Sequence, residues 1–256
     1  MRADPAGNIT LLVIDAVPPE QRAEIAAKLM LKASLGADQV GFVASPIFSP
    51  SAGRLEMMGG EFCGNAARAF GQYLAQQLGI KTGKLQIELS GCQHAIMVRV
   101  NADSQTANAE MPIPSGVFPL QLAGIDCVRV DFAGISHLVA DCPQPKETLL
   151  YGADGMFGAL GVDAYGVMFL NRQTGYMIPA VTVKATNSLV WEGSCGSGSV
   201  AAAVALTKDM ADGHYSFLFE QPAGSIEATV IWQAGAVKQV SIGGSVRIEN
   251  PMKIDI

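Results

Sequence analysis

Ser199 to Leu206 reads SVAAAVAL, a segment that is apolar on nearly every face of a helix. A helix of that kind has no side to show to water and must be buried all round. Most of the remaining chain breaks into short apolar or alternating runs of strand length. The pairing points to a helix enclosed by a curved sheet, with a plain structural helix in a doubly wound sheet as the alternative. A second Ala-rich segment, Ala66 to Leu78, lies about half the chain earlier and ends at Gly79, a residue suited to the C′ position. Each segment follows a cysteine and a Gly-containing turn: EFCGNAARAF over Glu61–Phe70 and GSCGSGSVAAAV over Gly193–Val204. Two related halves are therefore expected, each presenting one thiol at a helix N-terminus.

The rest of the chain fits two such halves. Strands are expected at Ile9–Ala16, Val40–Ala44, Leu85–Leu89, Ala95–Val100 and Thr106–Met111, with a helix over Pro19–Ala33 that opens on proline. The proline-rich MPIPSG, Met111–Gly116, is the best boundary between halves. Beyond it, strands are expected at Cys127–Phe132, His137–Ala140, Gly166–Leu170 and Ala180–Ala185, and a helix over Lys146–Leu160. The second cysteine motif opens a helix over Val200–Met210. Strands at Ser216–Phe219, Ile226–Trp232, Val240–Ile242 and Val246–Ile248 close the chain. The fold class is α/β: two pseudo-symmetric halves, each a curved, mainly antiparallel sheet wrapped around a central helix. The expected lobes are 1–113 plus 246–256, carrying Cys63, and 114–245, carrying Cys195.

With 256 residues, 49% of them hydrophobic, and a net charge of −6, the chain builds a sizeable core and lacks the basic runs that nucleic acid or anionic membranes attract. No apolar run approaches the roughly 18 residues of a membrane span. The opening MRADPAGN lacks the pattern of an export signal, and a cytoplasmic location is expected. Five cysteines at irregular spacing (63, 92, 127, 142 and 195) argue against a disulfide framework. Without CxxC, HxxxH or HExxH, no metal site is expected. No GxGxxG or GxxxxGK[ST] supports a nucleotide loop.

A cysteine at a helix N-terminus faces backbone N–H groups that lack partners within the helix, and the positive end of the helix dipole. Both favour the thiolate, so a lowered thiol pKa is expected at Cys63 and Cys195. The same N–H groups form an anion site, and Gly64-Asn65 and Gly196-Ser197 together suit one carboxylate. An amino acid so held places its Cα between two sulfurs. One sulfur removes the α-proton and the other returns a proton to the opposite face, without a cofactor. The bland alternative is two buried core cysteines. Cys92, Cys127 and Cys142 lack the motif and read as core.

At these residues the chain resembles the diaminopimelate epimerase family of two-cysteine, PLP-independent amino-acid racemases. DPAGN (Asp4–Asn8), GADQVGF (Gly36–Phe42), EFCGNAAR, SCGSGSVAA and QPAGSIEATV (Gln221–Val230) carry the resemblance. It implies Cys63 and Cys195 as the acid/base pair, and Gly64, Asn65, Gly196 and Ser197 as the carboxylate cradle. Asn8, Gln39 and His137 fall where the family meets substrate. Thr186-Asn187 stands where diaminopimelate enzymes carry a Glu-Arg pair, and Ile135-Ser136-His137 replaces their NPH. A second amino-acid head group would lose its charged partners there. SLVWEGSCGSG, Ser188–Gly198, and GGEFCGNA are most similar to the histidine racemase branch, which supplies D-histidine for metallophores. Glu192 is then the candidate for the substrate ammonium, with a solvated loop carboxylate as the alternative; Trp191 suits the side-chain pocket or the core equally, and Asp38 reads as a turn or cap residue. The resemblance implies an isomerase with a small amino-acid substrate, no cofactor, no nucleic-acid or membrane partner, and a site between the lobes. Relatives commonly pair, so a homodimer stays open. The alternatives are a diaminopimelate or lysine-type enzyme on the same scaffold, proline-type chemistry, or an amino-acid-binding module without catalysis.

Overall fold

A computed structural model of the chain describes residues 1–184 and 187–255. In chain order the elements begin with β1 (Arg2–Asp4), β2 (Thr10–Val13), α1 (Pro19–Met30), β3 (Gln39–Ala44), β4 (Arg54–Met57), α2 (Gly64–Gln77), β5 (Thr82–Leu89), β6 (Ile96–Asn101) and β7 (Thr106–Met111). They continue with β8 (Gly116–Leu122), β9 (Ile125–Phe132), β10 (Ile135–Asp141), α3 (Glu147–Ala159), β11 (Ala164–Leu170), β12 (Met177–Val183), β13 (Ser188–Trp191) and α4 (Gly196–Thr207). The last are β14 (Gly213–Gln221), β15 (Gly224–Gln233), β16 (Ala236–Ser245) and β17 (Arg247–Ile248). The fold is mixed α/β, with two sheets and few helices. Among the described residues no helix is long and apolar enough to cross a membrane.

The chain divides into two compact units, Met1–Glu110 with Gly243–Ile256, and Met111–Ile242. In the first, strands run in the order β7-β6-β5-β4-β3-β2-β1-β17. Neighbours are antiparallel except β2–β3 and β4–β5, which are parallel. A parallel pair needs a crossover, and helices α1 and α2 supply them. Helix α1 lies on the surface and buries only Ala26 and Leu29. Helix α2 buries every residue from Gly64 to Gln72 and packs on β2, β5, β6 and β17. Phe70 and Leu74 on its surface join Leu55, Ile87 and Val98 in the core of this unit.

The second unit holds a six-stranded sheet in the order β13-β12-β11-β10-β9-β8. Strands β10 and β11 are parallel, with α3 as their crossover. Its Leu149, Ala153 and Phe157 recur every fourth residue and face the sheet. Helix α4 touches β9, β10 and β11 of this sheet and also β14 and β15. Its residues Gly198 to Ala205 are buried without a break, which is the all-round burial its composition demands.

Several elements depart from expectation. Helices α2 and α4 start at Gly64 and Gly196, directly after each cysteine, rather than at Ala66 and Val200. The cysteine itself serves as N-cap, so the glycines enter the first turn. Helix α1 stops at Met30 and α4 at Thr207, both short of the expected ends. Strand β2 begins at Thr10 and ends at Val13, before the exposed Ile14 and Asp15. Strands β1, β4, β8 and β13 were not expected. Strand β8 follows the proline-rich stretch and carries Pro119, tolerated because β8 is the sheet edge. The expected strand end at Ala185, and Thr186 beside it, lie outside the described residues.

Candidate active site

In the first unit Cys63 is half-buried and occupies the N-cap of α2 with extended backbone, φ −133° and ψ 115°. Its Sγ accepts a hydrogen bond from the Ala66 N–H at 3.4 Å. The thiol does here what a Ser or Asp oxygen does at an ordinary N-cap. Loop residues from β1 to β3 gather beside it. Asp4 Oδ1 accepts from the Gly7 N–H at 2.7 Å, closing the DPAGN turn in which Ala6 and Gly7 take positive φ. Gln39, at the start of β3, donates from Nε2 to Asn8 Oδ1 at 2.6 Å and to Thr10 Oγ1 at 2.8 Å, and its amide also hydrogen-bonds the Cys63 sulfur. Asp38 accepts the Ile9 N–H at 2.6 Å, the role of a turn residue. Asn8, Gln39, Cys63, Gly64 and Asn65 thus form one cluster.

The second unit repeats the thiol geometry. Cys195 caps α4 with φ −121° and ψ 113°, and its Sγ accepts the Gly198 N–H at 3.4 Å. The Ser197 hydroxyl lies 3.7 Å from that sulfur and 2.8 Å from His137 Nε2. Glu192, at the end of β13, hydrogen-bonds the Cys195 thiol. His137 is fully buried on β10, and its Nδ1 has no hydrogen-bond partner among the described residues. Desolvation pushes its pKa down to about 3. The ring is neutral, and it avoids a stranded N–H by placing the proton on Nε2. Nε2 then donates to Ser197 Oγ, and the hydroxyl proton is free to point at Sγ. His137, Glu192, Cys195, Gly196 and Ser197 form the second cluster. Trp191 instead lies half-exposed on the edge strand β13, its ring stacked 6.1 Å from Phe169.

The pKa expectation is overturned. Burial raises the Cys63 thiol above its ordinary value, against the pull of the Ala66 N–H and the Gln39 amide; the Glu61 charge adds to the rise. Burial raises Cys195 well above that value, and the Glu192 carboxylate raises it further. Removal from water outweighs the N–H donors, so both sulfurs rest as thiols. Cys127 and Cys142 are buried in the core beside α3, as expected, while Cys92 is half-buried.

Three residues near the sulfurs escaped the sequence reading. Gln221, the last residue of β14, accepts the Cys195 N–H on Oε1 at 2.8 Å and donates from Nε2 to Ser199 Oγ at 3.0 Å. Ser199 in turn donates to the Cys195 carbonyl at 2.7 Å, so the N-cap is braced on both backbone groups. The QPAG motif that opens at Gln221 was the available signal. Met168 fills the space beside Gly198, where an added Cβ would meet its sulfur at 2.2 Å. Arg68 is completely buried in α2 and hydrogen-bonds Asn65.

The chain matches the family model of the histidine racemase CntK N-terminal domain over residues 1–251. It is 30% identical over 219 residues to a histidine racemase of Fusobacterium nucleatum subsp. nucleatum (strain ATCC 23726 / VPI 4351), covering 81% of both chains. It is 26% identical over 235 residues to a histidine racemase of Staphylococcus aureus (strain Mu50 / ATCC 700699), covering 88% of this chain and 86% of that one. The fold resembles the solved structure of a predicted epimerase from Pseudomonas aeruginosa, with a TM-score of 0.69, 16% identity, and 97% and 96% of the two chains covered. The chain belongs to the histidine racemase family and is an isomerase of the racemase and epimerase class.

Proposed function

We propose that this isomerase inverts the α-carbon of free histidine without a cofactor, using Cys63 and Cys195 as a thiol/thiolate pair. The observation that carries the reading is the twin N-cap geometry. Each sulfur accepts a backbone N–H at 3.4 Å from the residue three positions on, with nearly the same φ and ψ. In the proposed reaction one sulfur, as thiolate, takes the α-proton, and the C–H electron pair passes to Cα. The other sulfur, as thiol, donates its proton to the opposite face of that planar carbon. Thiol and thiolate have then exchanged, and the reverse reaction starts from the product state. The chemistry demands that both sulfurs reach the same Cα.

The N–H groups of Gly64, Asn65, Gly196 and Ser197 would hold the substrate carboxylate and stabilise the charge that spreads onto it. Glu192 would pair with the substrate ammonium. That pairing would draw its negative charge away from Cys195 and relieve part of the rise in the thiol pKa. Asn8 and Gln39 would border the substrate near Cys63, and His137 would orient Ser197. We further read the two units as related lobes, 1–113 with 246–256 and 114–245, each a curved sheet around a helix, α2 in one and α4 in the other.

The test is proton exchange. L-histidine or D-histidine is incubated with the protein in deuterated water. Loss of the α-proton is followed by NMR, and enantiomers are separated by chiral chromatography. Both enantiomers are expected to converge on an equal mixture with deuterium at Cα, and hydroxylamine, which captures carbonyl cofactors, is expected to have no effect. No exchange with histidine, alongside exchange with diaminopimelate, lysine or proline, would refute the substrate. No exchange with any of them would refute the reaction.

A further inference from the structure

Arg68 is the largest fully buried side chain among the described residues. Its Nε donates to the Ala107 carbonyl at 3.1 Å, its Nη1 to Asn65 Oδ1 at 3.2 Å and its Nη2 to the Ser245 carbonyl at 2.8 Å. All three acceptors are neutral oxygens, and no carboxylate forms an ion pair with it among the described residues. Burial lowers its pKa to about 10, so it is still a cation at neutral pH. A buried cation is costly unless hydrogen bonds and an opposite charge offset it. The titratable group whose charge acts on it is Cys63, the N-cap of the same helix. The bond to Asn65 has a second consequence. A guanidinium only donates, so the Asn65 carbonyl oxygen is committed to Arg68. What that amide has left to offer a carboxylate is its NH2 end.

We propose that Arg68 is a positioning residue for the reaction: it turns Asn65 into a donor for the substrate carboxylate, and its charge, unpaired by any carboxylate, favours the thiolate at Cys63. The proposal rests on the two-thiol reading above and extends it to a residue that touches no reacting atom. Cys63 also feels Glu61, whose charge opposes ionisation, while the charge coupling recorded between Arg68 and Cys63 acts the other way. Cys195 instead faces the Glu192 carboxylate, which raises its pKa.

Alkylation of each cysteine by neutral iodoacetamide, followed against pH by peptide mass spectrometry, tests this in the whole chain. In Arg68→Gln the Cys63 midpoint is expected to rise by about one unit, or about tenfold slower labelling below the midpoint. The Cys195 midpoint is expected to stay put. Arg68→Lys keeps the charge but not the fork. It is expected to hold the Cys63 midpoint while KM for histidine rises and kcat falls less. A folded Arg68→Gln with an unchanged Cys63 midpoint overturns the proposal, as does Arg68→Lys shifting as far as Arg68→Gln. Should neither variant fold, the Arg68 Nε resonance of the wild-type chain decides. It is expected to titrate with Cys63 and to fall silent in Cys63→Ser; a resonance that ignores the Cys63 titration refutes the proposal. The labelling readout is independent of turnover. A shifted midpoint without histidine racemisation would therefore leave Arg68 standing and remove only the substrate.

Discussion

His137 shows how burial settles the behaviour of a single residue. A histidine beside serine and cysteine invites a reading as a charged base, yet full burial holds the ring neutral, with its pKa at about 3. The unfolded chain takes up a proton near pH 6.5, and the folded chain resists it until about 3. Between those values the unfolded state binds the extra proton. The stability tied to His137 is complete above pH 6.5 and is lost progressively as pH falls toward 3. Urea unfolding at pH 7 and pH 5 is expected to differ by about 2 kcal/mol from this group. His137→Gln should flatten that dependence; equal pH dependence in both proteins would refute the assignment. Sequence alone placed His137 near substrate by its resemblance. It could not show that the ring meets Ser197, because β10 and the first turn of α4 lie far apart in the chain and only the fold joins them.

At the scale of elements, the two buried helices were unequally legible. Helix α4 announces its burial by composition. Helix α2 carries Asn65, Arg68 and Gln72 among its buried residues, so its burial was expected from the matching cysteine motif and not from its own composition. Its close approach to β6 depends on Gly71, where an added Cβ would meet the Val98 side chain at 2.5 Å. A β-branched side chain has little freedom to withdraw. Gly71→Ala is therefore expected to cost about 1–3 kcal/mol by overpacking, against the better helix propensity of alanine. Urea denaturation measures it, and a neutral or stabilising effect would show that α2 shifts freely on its sheet. Gly198→Ala presses instead on Met168 and lies 3.2 Å from Cys195 Sγ, so it is expected to lower activity as well as stability. Strand β4 was missed for a different reason: four residues, RLEM, alternate too briefly to stand out, and its charges are absorbed by Glu88 and Arg22 in ion pairs that sequence does not reveal.

For the whole molecule, the proposed division of labour between the thiols has a stereochemical consequence. Cys63 belongs to the first compact unit and Cys195 to the second. Inversion requires one sulfur on each face of Cα, so neither unit has the means to racemise alone under this mechanism. Under the same proposal, each sulfur by itself would take a proton from one enantiomer, exchange it with solvent and return it to the same face. Cys63→Ser and Cys195→Ser are thus each expected to lose racemisation by about 10²–10⁴-fold. Each should still wash deuterium into one enantiomer, and the two variants should choose opposite enantiomers. Chiral separation followed by mass measurement of recovered L- and D-histidine reads both outcomes at once. If both variants label the same enantiomer, the sulfurs do not serve opposite faces. If either variant racemises at the wild-type rate, the substituted thiol is no part of the proton path, and one base with a mobile water would replace the two-thiol account.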